Sequence, residues 1–269
     1  MKLMKLDPSA AQRLDAEFKK HQTARTETPL VEELSAAWSS SVRKVVAPLC
    51  PPDSKPATGS VVIHSTPQVE FKTPQGQQMR CELGDFLIVT GYVRGGLFQR
   101  GRAVLYQAKT PDTATPSAQK ELFKTWPVFD IVSPRIPSAD WDVGSEGTDV
   151  SPSRRGSAFL RVEHDKPPER YEVDSKARTK ELGECVRSML RLRYSRAFTK
   201  VDPVVRGRNS WDQLITYLLQ RCPNQDLRAW FGPPVFSHSP REGDGGRLYI
   251  VYAFVLSDDA RNDEPPQQS

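Results

Sequence analysis

The chain has 269 residues, enough to bury a substantial core without disulfide or metal staples. Its four cysteines, Cys50, Cys81, Cys185 and Cys222, stand singly, with no CxxC pair and no histidine at zinc-ligand spacing; this excludes a zinc ribbon or a disulfide scaffold and favours a reducing interior. The formal charge of +5 is unevenly spread, because residues 176–208 hold ten Lys or Arg against three acids, a window of +7 that leaves −2 for the remainder.

Residues 8–22 predict a strongly charged helix, and residues 28–46 a core helix with Leu30, Leu34, Ala37 and Trp38 at helical spacing. Pro51 and Pro52, followed by Gly59, end that helix, and a sheet is expected to begin. The runs at 60–64, 68–72, 84–93 and 102–110 read as an antiparallel meander, with a loop containing Gly95, Gly96 and Gly101 between the last two. Turn residues at 110–116 precede a short helix at 117–126, closed by Pro127, and a strand at 128–132. Residues 133–156, rich in Pro, Ser, Gly and Asp, predict a surface loop or linker. A strand follows at 158–164, then one long basic helix at 175–198, a Ser210-capped helix at 210–222 and an apolar strand at 247–256. Residues 258–269 are expected to be disordered. No run approaches the roughly 18 apolar residues of a membrane span, and the N-terminal stretch lacks the apolar part of a signal peptide, so a cytoplasmic protein with no membrane contact is expected.

Chemistry concentrates on two segments, Gly84-Asp85-Phe86-Leu87-Ile88-Val89 and Val104-Leu105-Tyr106-Gln107-Ala108-Lys109. An acid opens the first strand. On the second, Gln107 and Lys109 are two residues apart and emerge on one face, while Tyr106 and Ala108 face the other way. Polar groups in such a strand need a partner. A bland outcome is an Asp85 to Lys109 ion pair at a sheet edge. The alternative is a Mg²⁺ site with Mn²⁺ as substitute: the Asp85 carboxylate, the Gln107 amide oxygen and the Ala108 carbonyl supply hard oxygen ligands, and Lys109 orients water or stabilises developing charge.

An acid opening one strand, a Gln-x-Lys triplet on the next and an amphipathic helix after it resemble the PD-(D/E)xK nuclease superfamily, in the Gln-x-Lys variant of Mrr-like restriction enzymes. The resemblance covers about half the chain. It implies an α/β fold with a restriction-endonuclease-like core, in which a helix precedes three antiparallel strands, a helix and a final strand. In this reading the central mixed sheet is flanked by helices over residues 20–165, with a basic helical C-terminal extension and a late strand over 166–257. It also implies a Mg²⁺-dependent endonuclease acting on DNA, a role in prokaryotic restriction or anti-phage defence, and a homodimer or a partner protein of a defence complex.

In the superfamily a helical glutamate often completes the metal site, and here Glu33 is preferred narrowly over Glu27, both bordering the buried stripe. Gln119, on the helix after the triplet, is expected to reach the cleft. In the basic window Arg187, Arg191, Arg193, Arg196, Lys200, Arg206 and Arg208 become candidates for the DNA backbone. Because Gln107 brings no negative charge, a catalytically inactive nuclease-fold module that binds nucleic acid is the rival reading. A protein-interaction subunit that docks through the C-terminal helices and the strand Leu248 to Leu256 is another. Trp126, Trp211 and Trp230 are expected to be core residues.

Overall fold

The computed structural model describes residues 6–64, 67–133, 156–171, 180–192, 196–198, 211–222, 224–231 and 247–257. Helix α1 (Pro8–Lys19) starts where its chemistry allows: Asp7 accepts a hydrogen bond from the Ala10 N–H at 3.0 Å, and Pro8 fills the first turn, where no N–H is needed. Helix α2 (Glu27–Val46) buries Leu30, Leu34, Trp38, Val42 and Val45 along one side. Trp38 stacks on Phe18 of α1 with ring centroids 5.4 Å apart and donates its indole N–H to the Tyr252 carbonyl. A 3₁₀ turn (Ala47–Leu49) follows.

Next come β1 (Ser54–His64), β2 (Gln68–Lys72), β3 (Gln78–Glu82), β4 (Phe86–Arg94), β5 (Leu97–Lys109), α3 (Ser117–Thr125) and β6 (Phe129–Ser133). The chain goes on through β7 (Ser157–Arg161), β8 (Glu169–Tyr171), β9 (Lys180–Glu181), α4 (Leu182–Leu190) and β10 (Arg196–Phe198). It ends in α5 (Trp211–Gln220), α6 (Gln225–Phe231) and β11 (Arg247–Ser257). The large mixed sheet has the order β1-β11-β4-β5-β7-β8-β9, with β10 also paired to β5. The pairs β11/β4 and β5/β7 are parallel, and the others antiparallel.

Strands β4 and β11 are apolar nearly throughout because both faces are covered. Phe86, Ile88, Val104, Tyr106 and Ala108 pack with α1, α2 and α4, whereas Leu87, Val89, Leu105 and Phe159 pack with α3, α5 and α6. The chain is therefore a mixed α/β protein in which helices flank a large mixed sheet. Trp126, Trp211 and Trp230 are buried in the second of these layers.

The expected meander forms only in part. β4 and β5 make the hairpin, but β2 leaves the main sheet to pair with β3 and β6, and β1 pairs with β11. β11, expected as the late strand of the C-terminal extension, inserts between β1 and β4. Its residues Leu248 to Val255 are buried, so it does not present the docking strand. The long basic helix is also shorter than expected: α4 ends at Leu190, Leu192 turns into the left-handed region at φ 56°, and residues 196–198 pair with Gly101 to Ala103 as strand β10. Backbone pairing to the open edge of β5 satisfies more donors there than another exposed helical turn. Of the loop expected at 133–156, residues 134–155 lie outside the described residues, as does the tail at 258–269. Among the described residues, no helix is long and apolar enough to cross a membrane, and all four cysteines are free thiols.

Candidate functional site

Asp85 stands just before β4, clamped on both sides by backbone. Its N–H donates to the Tyr106 carbonyl at 2.9 Å, and its carbonyl accepts from the Tyr249 N–H at 2.9 Å. Gly84 permits this approach, since a β-carbon there would lie 2.9 Å from the Leu105 side chain and 3.1 Å from the Tyr106 carbonyl oxygen. The Asp85 Oδ2 then accepts from the Ala108 N–H at 2.8 Å and from the Gln107 side-chain amide. Since the N–H and C=O of a strand residue point to the same edge, the Ala108 carbonyl also faces the Asp85 side.

Gln107 and Lys109 end β5 on the α3-facing side, with Gln107 1% and Lys109 6% exposed. The Lys109 ammonium donates to Glu27 Oε1 at 2.9 Å. Glu27 is in the first turn of α2, where the helix dipole favours a carboxylate. Lys109 is thus paired with Glu27, and Asp85 feels it as a nearby charge. Burial pushes the Asp85 carboxyl up to about 7; Glu82 and Glu27 add to the rise, while Lys109 and the Ala108 N–H oppose it.

Gln119 lies on the sheet-facing side of α3 with Leu122 and Phe123. Phe123, one turn further on, packs its ring 5.2 Å from that of Phe159, the residue paired in register with Gln107. Gln119 is thus buried on the face of α3 that packs on β7. Glu27 Oε2 and Gln107 Oε1 at this site, and Gln119 Oε1 on α3, are buried with no hydrogen-bond partner among the described residues. Such atoms are costly unless they meet a donor or a cation.

Glu33, the preferred glutamate from sequence, is placed elsewhere. Its carboxylate accepts from the Thr23 N–H at 2.7 Å, the Thr23 hydroxyl at 2.5 Å and the Ala24 N–H at 3.0 Å, so it caps the α1 to α2 connection. Glu32 is bound by Arg247 and the Tyr249 hydroxyl. Glu27 is the helical glutamate that reaches the β5 end. In the basic window, Arg187 turns inward to Glu184 and the Leu6 carbonyl, which removes it from a free cationic surface. Arg191 closes α4. Arg193, Lys200, Arg206 and Arg208 lie outside the described residues, as does the side chain of Arg196.

The set fits a hard divalent cation in donor type. Two carboxylates, two amide oxygens and a backbone carbonyl are the oxygen ligands that Mg²⁺ and Mn²⁺ take. Among the described residues no group of three His, Cys, Asp or Glu side chains is placed to hold a metal, so any ion here rests on amides as well as acids. The chain matches no protein-family model, no curated protein and no solved structure. Sequence reasoning passed over Glu82, which raises the Asp85 carboxyl, and Arg161 and Tyr171 on the strands beyond β5. A parallel crossover through α3 was the signal that would have set Arg161 beside Lys109.

Proposed function

We propose that the chain is a divalent-metal-dependent endonuclease with a restriction-endonuclease-like core, hydrolysing phosphodiester bonds of DNA. The observation that carries this reading is the meeting of Asp85, Gln107, Lys109 and Glu27, from three separate segments, beside buried oxygens that lack hydrogens to accept. Asp85, Glu27, Gln107 and the Ala108 carbonyl would hold Mg²⁺ or Mn²⁺, with Gln119 beside them. A cation bound there supplies Lewis-acid polarisation of a phosphate oxygen. The Lys109 ammonium has three donors, one of them spent on Glu27, so two are left for an attacking water and a phosphate oxygen. Glu27 fixes that ammonium, and with it the line of attack. Cytoplasmic restriction or defence against foreign DNA, as a homodimer or with a protein partner, is the setting that suits such an enzyme.

The rival reading, a nuclease fold that binds DNA without cutting, is favoured by one feature: Gln107 ties up Asp85 through its amide and adds no charge. Incubating the protein with supercoiled and linear DNA in Mg²⁺, Mn²⁺ or chelator separates the two. The nuclease reading expects divalent-dependent nicking or linearisation that is lost in Lys109→Ala and Asp85→Asn. Cleavage retained by Lys109→Ala, or insensitive to chelator, refutes the assignment; DNA binding without cleavage in either metal favours the rival.

A further inference from the structure

The sheet register brings a second cation to the site. Gln107 is paired with Phe159 and Lys109 with Arg161 across β5 and β7, and β8 continues both pairings with Tyr171 and Glu169. Cross-strand partners share a face. Two rows therefore cross three strands, one of Gln107, Phe159 and Tyr171, the other of Lys109, Arg161 and Glu169. The first row is covered, since the Phe159 ring lies 5.5 Å from Tyr171 and 5.2 Å from Phe123 of α3. The second row forms the rim at the end of β5.

The two cations of that rim differ in what they have left to give. Lys109 has a side chain only 7% exposed and is held by Glu27. The Arg161 side chain is 43% exposed; its nearest carboxylate oxygen, on Glu169, is 3.9 Å away, and its guanidinium makes no hydrogen bond among the described residues. Its Cζ lies 5.3 Å from the centre of the Tyr171 ring. Stacking on an aromatic face orients a guanidinium without using its N–H donors, so the planar fork stays open for bidentate contact. A distant, exposed carboxylate is a weak competitor for it. Tyr171 is itself within the field of Glu27, the residue that holds Lys109, which ties both cations to one site. Neighbouring strands stand about 4.8 Å apart, so Arg161, paired with Lys109, is within reach of a phosphate adjacent to one held at Lys109.

We propose that Arg161 is a phosphate-binding residue that takes the DNA backbone phosphate next to the scissile one, with Tyr171 as its positioning residue; this rests on the nuclease reading of the site. Binding and turnover are measured separately. Anisotropy of a labelled DNA duplex, titrated in chelator at several salt concentrations, reads binding; cleavage in Mg²⁺ reads KM and kcat. Arg161→Gln is expected to weaken binding about ten-fold at low salt and to reduce the slope of log K against log salt by about 1. Its KM should rise while kcat stays within about two-fold. Arg161→Lys keeps the charge and loses the fork, so it is expected to recover the salt slope and only part of the affinity. Tyr171→Leu should weaken binding with the slope intact. If wild type binds and cuts DNA while Arg161→Gln keeps the wild-type slope and KM, the Arg161 proposal is overturned and the nuclease reading stands. If wild type neither binds nor cuts DNA, both fall.

Discussion

Asp85 sets the electrostatics of the site, because it is desolvated, flanked by Glu82 and Glu27, and only partly compensated by Lys109 and the Ala108 N–H. Its carboxyl, raised to about 7, holds a proton over part of the physiological range. In the metal-free protein the proton stays bound in the folded state at pH values where the unfolded chain has released it. The stabilising contribution is thus complete below about pH 4 and lost as pH rises through about 7. Metal binding has the opposite dependence, since it requires the carboxylate. Calorimetric titration with Mn²⁺ at pH 6, 7 and 8 should show affinity falling up to ten-fold per unit below about 7 and levelling above it. Asp85→Asn should abolish this binding. An affinity that is flat across this range would place the metal elsewhere.

At the scale of elements, the strongest case for tight constraint is the start of α4 against α1. The buried Asp15 accepts the Gly183 N–H at 2.6 Å, so a side chain from one helix caps the N-terminus of another. A β-carbon on Gly183 would lie 2.4 Å from the Ala11 carbonyl oxygen and 2.7 Å from the Asp15 carboxyl, both in the α1 helix. Gly183→Ala must push the helices apart, at a cost of about 1–3 kcal/mol. Thermal denaturation should show a fall of about 2–4 °C per kcal/mol, with DNA cleavage by the folded protein unchanged. A melting temperature at or above wild type would mean that the helices give way freely.

The same scale shows what the sequence makes legible. Strands β4, β5 and β11 stand out as apolar runs because both their faces are buried, and α2 because its stripe repeats at helical spacing. Their partners do not stand out: β11 pairs with β1 and β4, far away in the chain, and local periodicity carries no record of such pairing. In the site, Asp85, Gln107 and Lys109 are legible as polar residues in apolar strands. The choice between Glu27 and Glu33 is not, because both border the buried stripe of α2, and Thr23 and Ala24 in the preceding loop decide it. Arg161 is an ordinary strand arginine until the β5/β7 register sets it against Lys109.

For the whole molecule, the site works as a tie between distant parts of the chain. Glu27 belongs to α2, Asp85 to the start of β4, Gln107 to β5 and Gln119 to α3, so the unfolded chain does not hold these oxygens together. A cation bound only by the folded state stabilises it by mass action, by about 2.7 kcal/mol at a hundred times Kd. For a chain of this size, that is a rise in melting temperature of about 5–10 °C. The gain should be larger at pH 8 than at pH 6, because at the lower pH the cation must first displace the Asp85 proton. Asp85→Asn and Glu27→Gln should lose most of the rise, while Glu33→Gln, with its carboxylate turned to the α1 to α2 connection, should keep it. Differential scanning fluorimetry across a Mg²⁺ or Mn²⁺ series, with matched ionic strength in NaCl, measures this directly. Equal rises in wild type and Asp85→Asn would mean that the ion binds at some other surface, because nonspecific stabilisation by salt does not depend on one buried carboxylate.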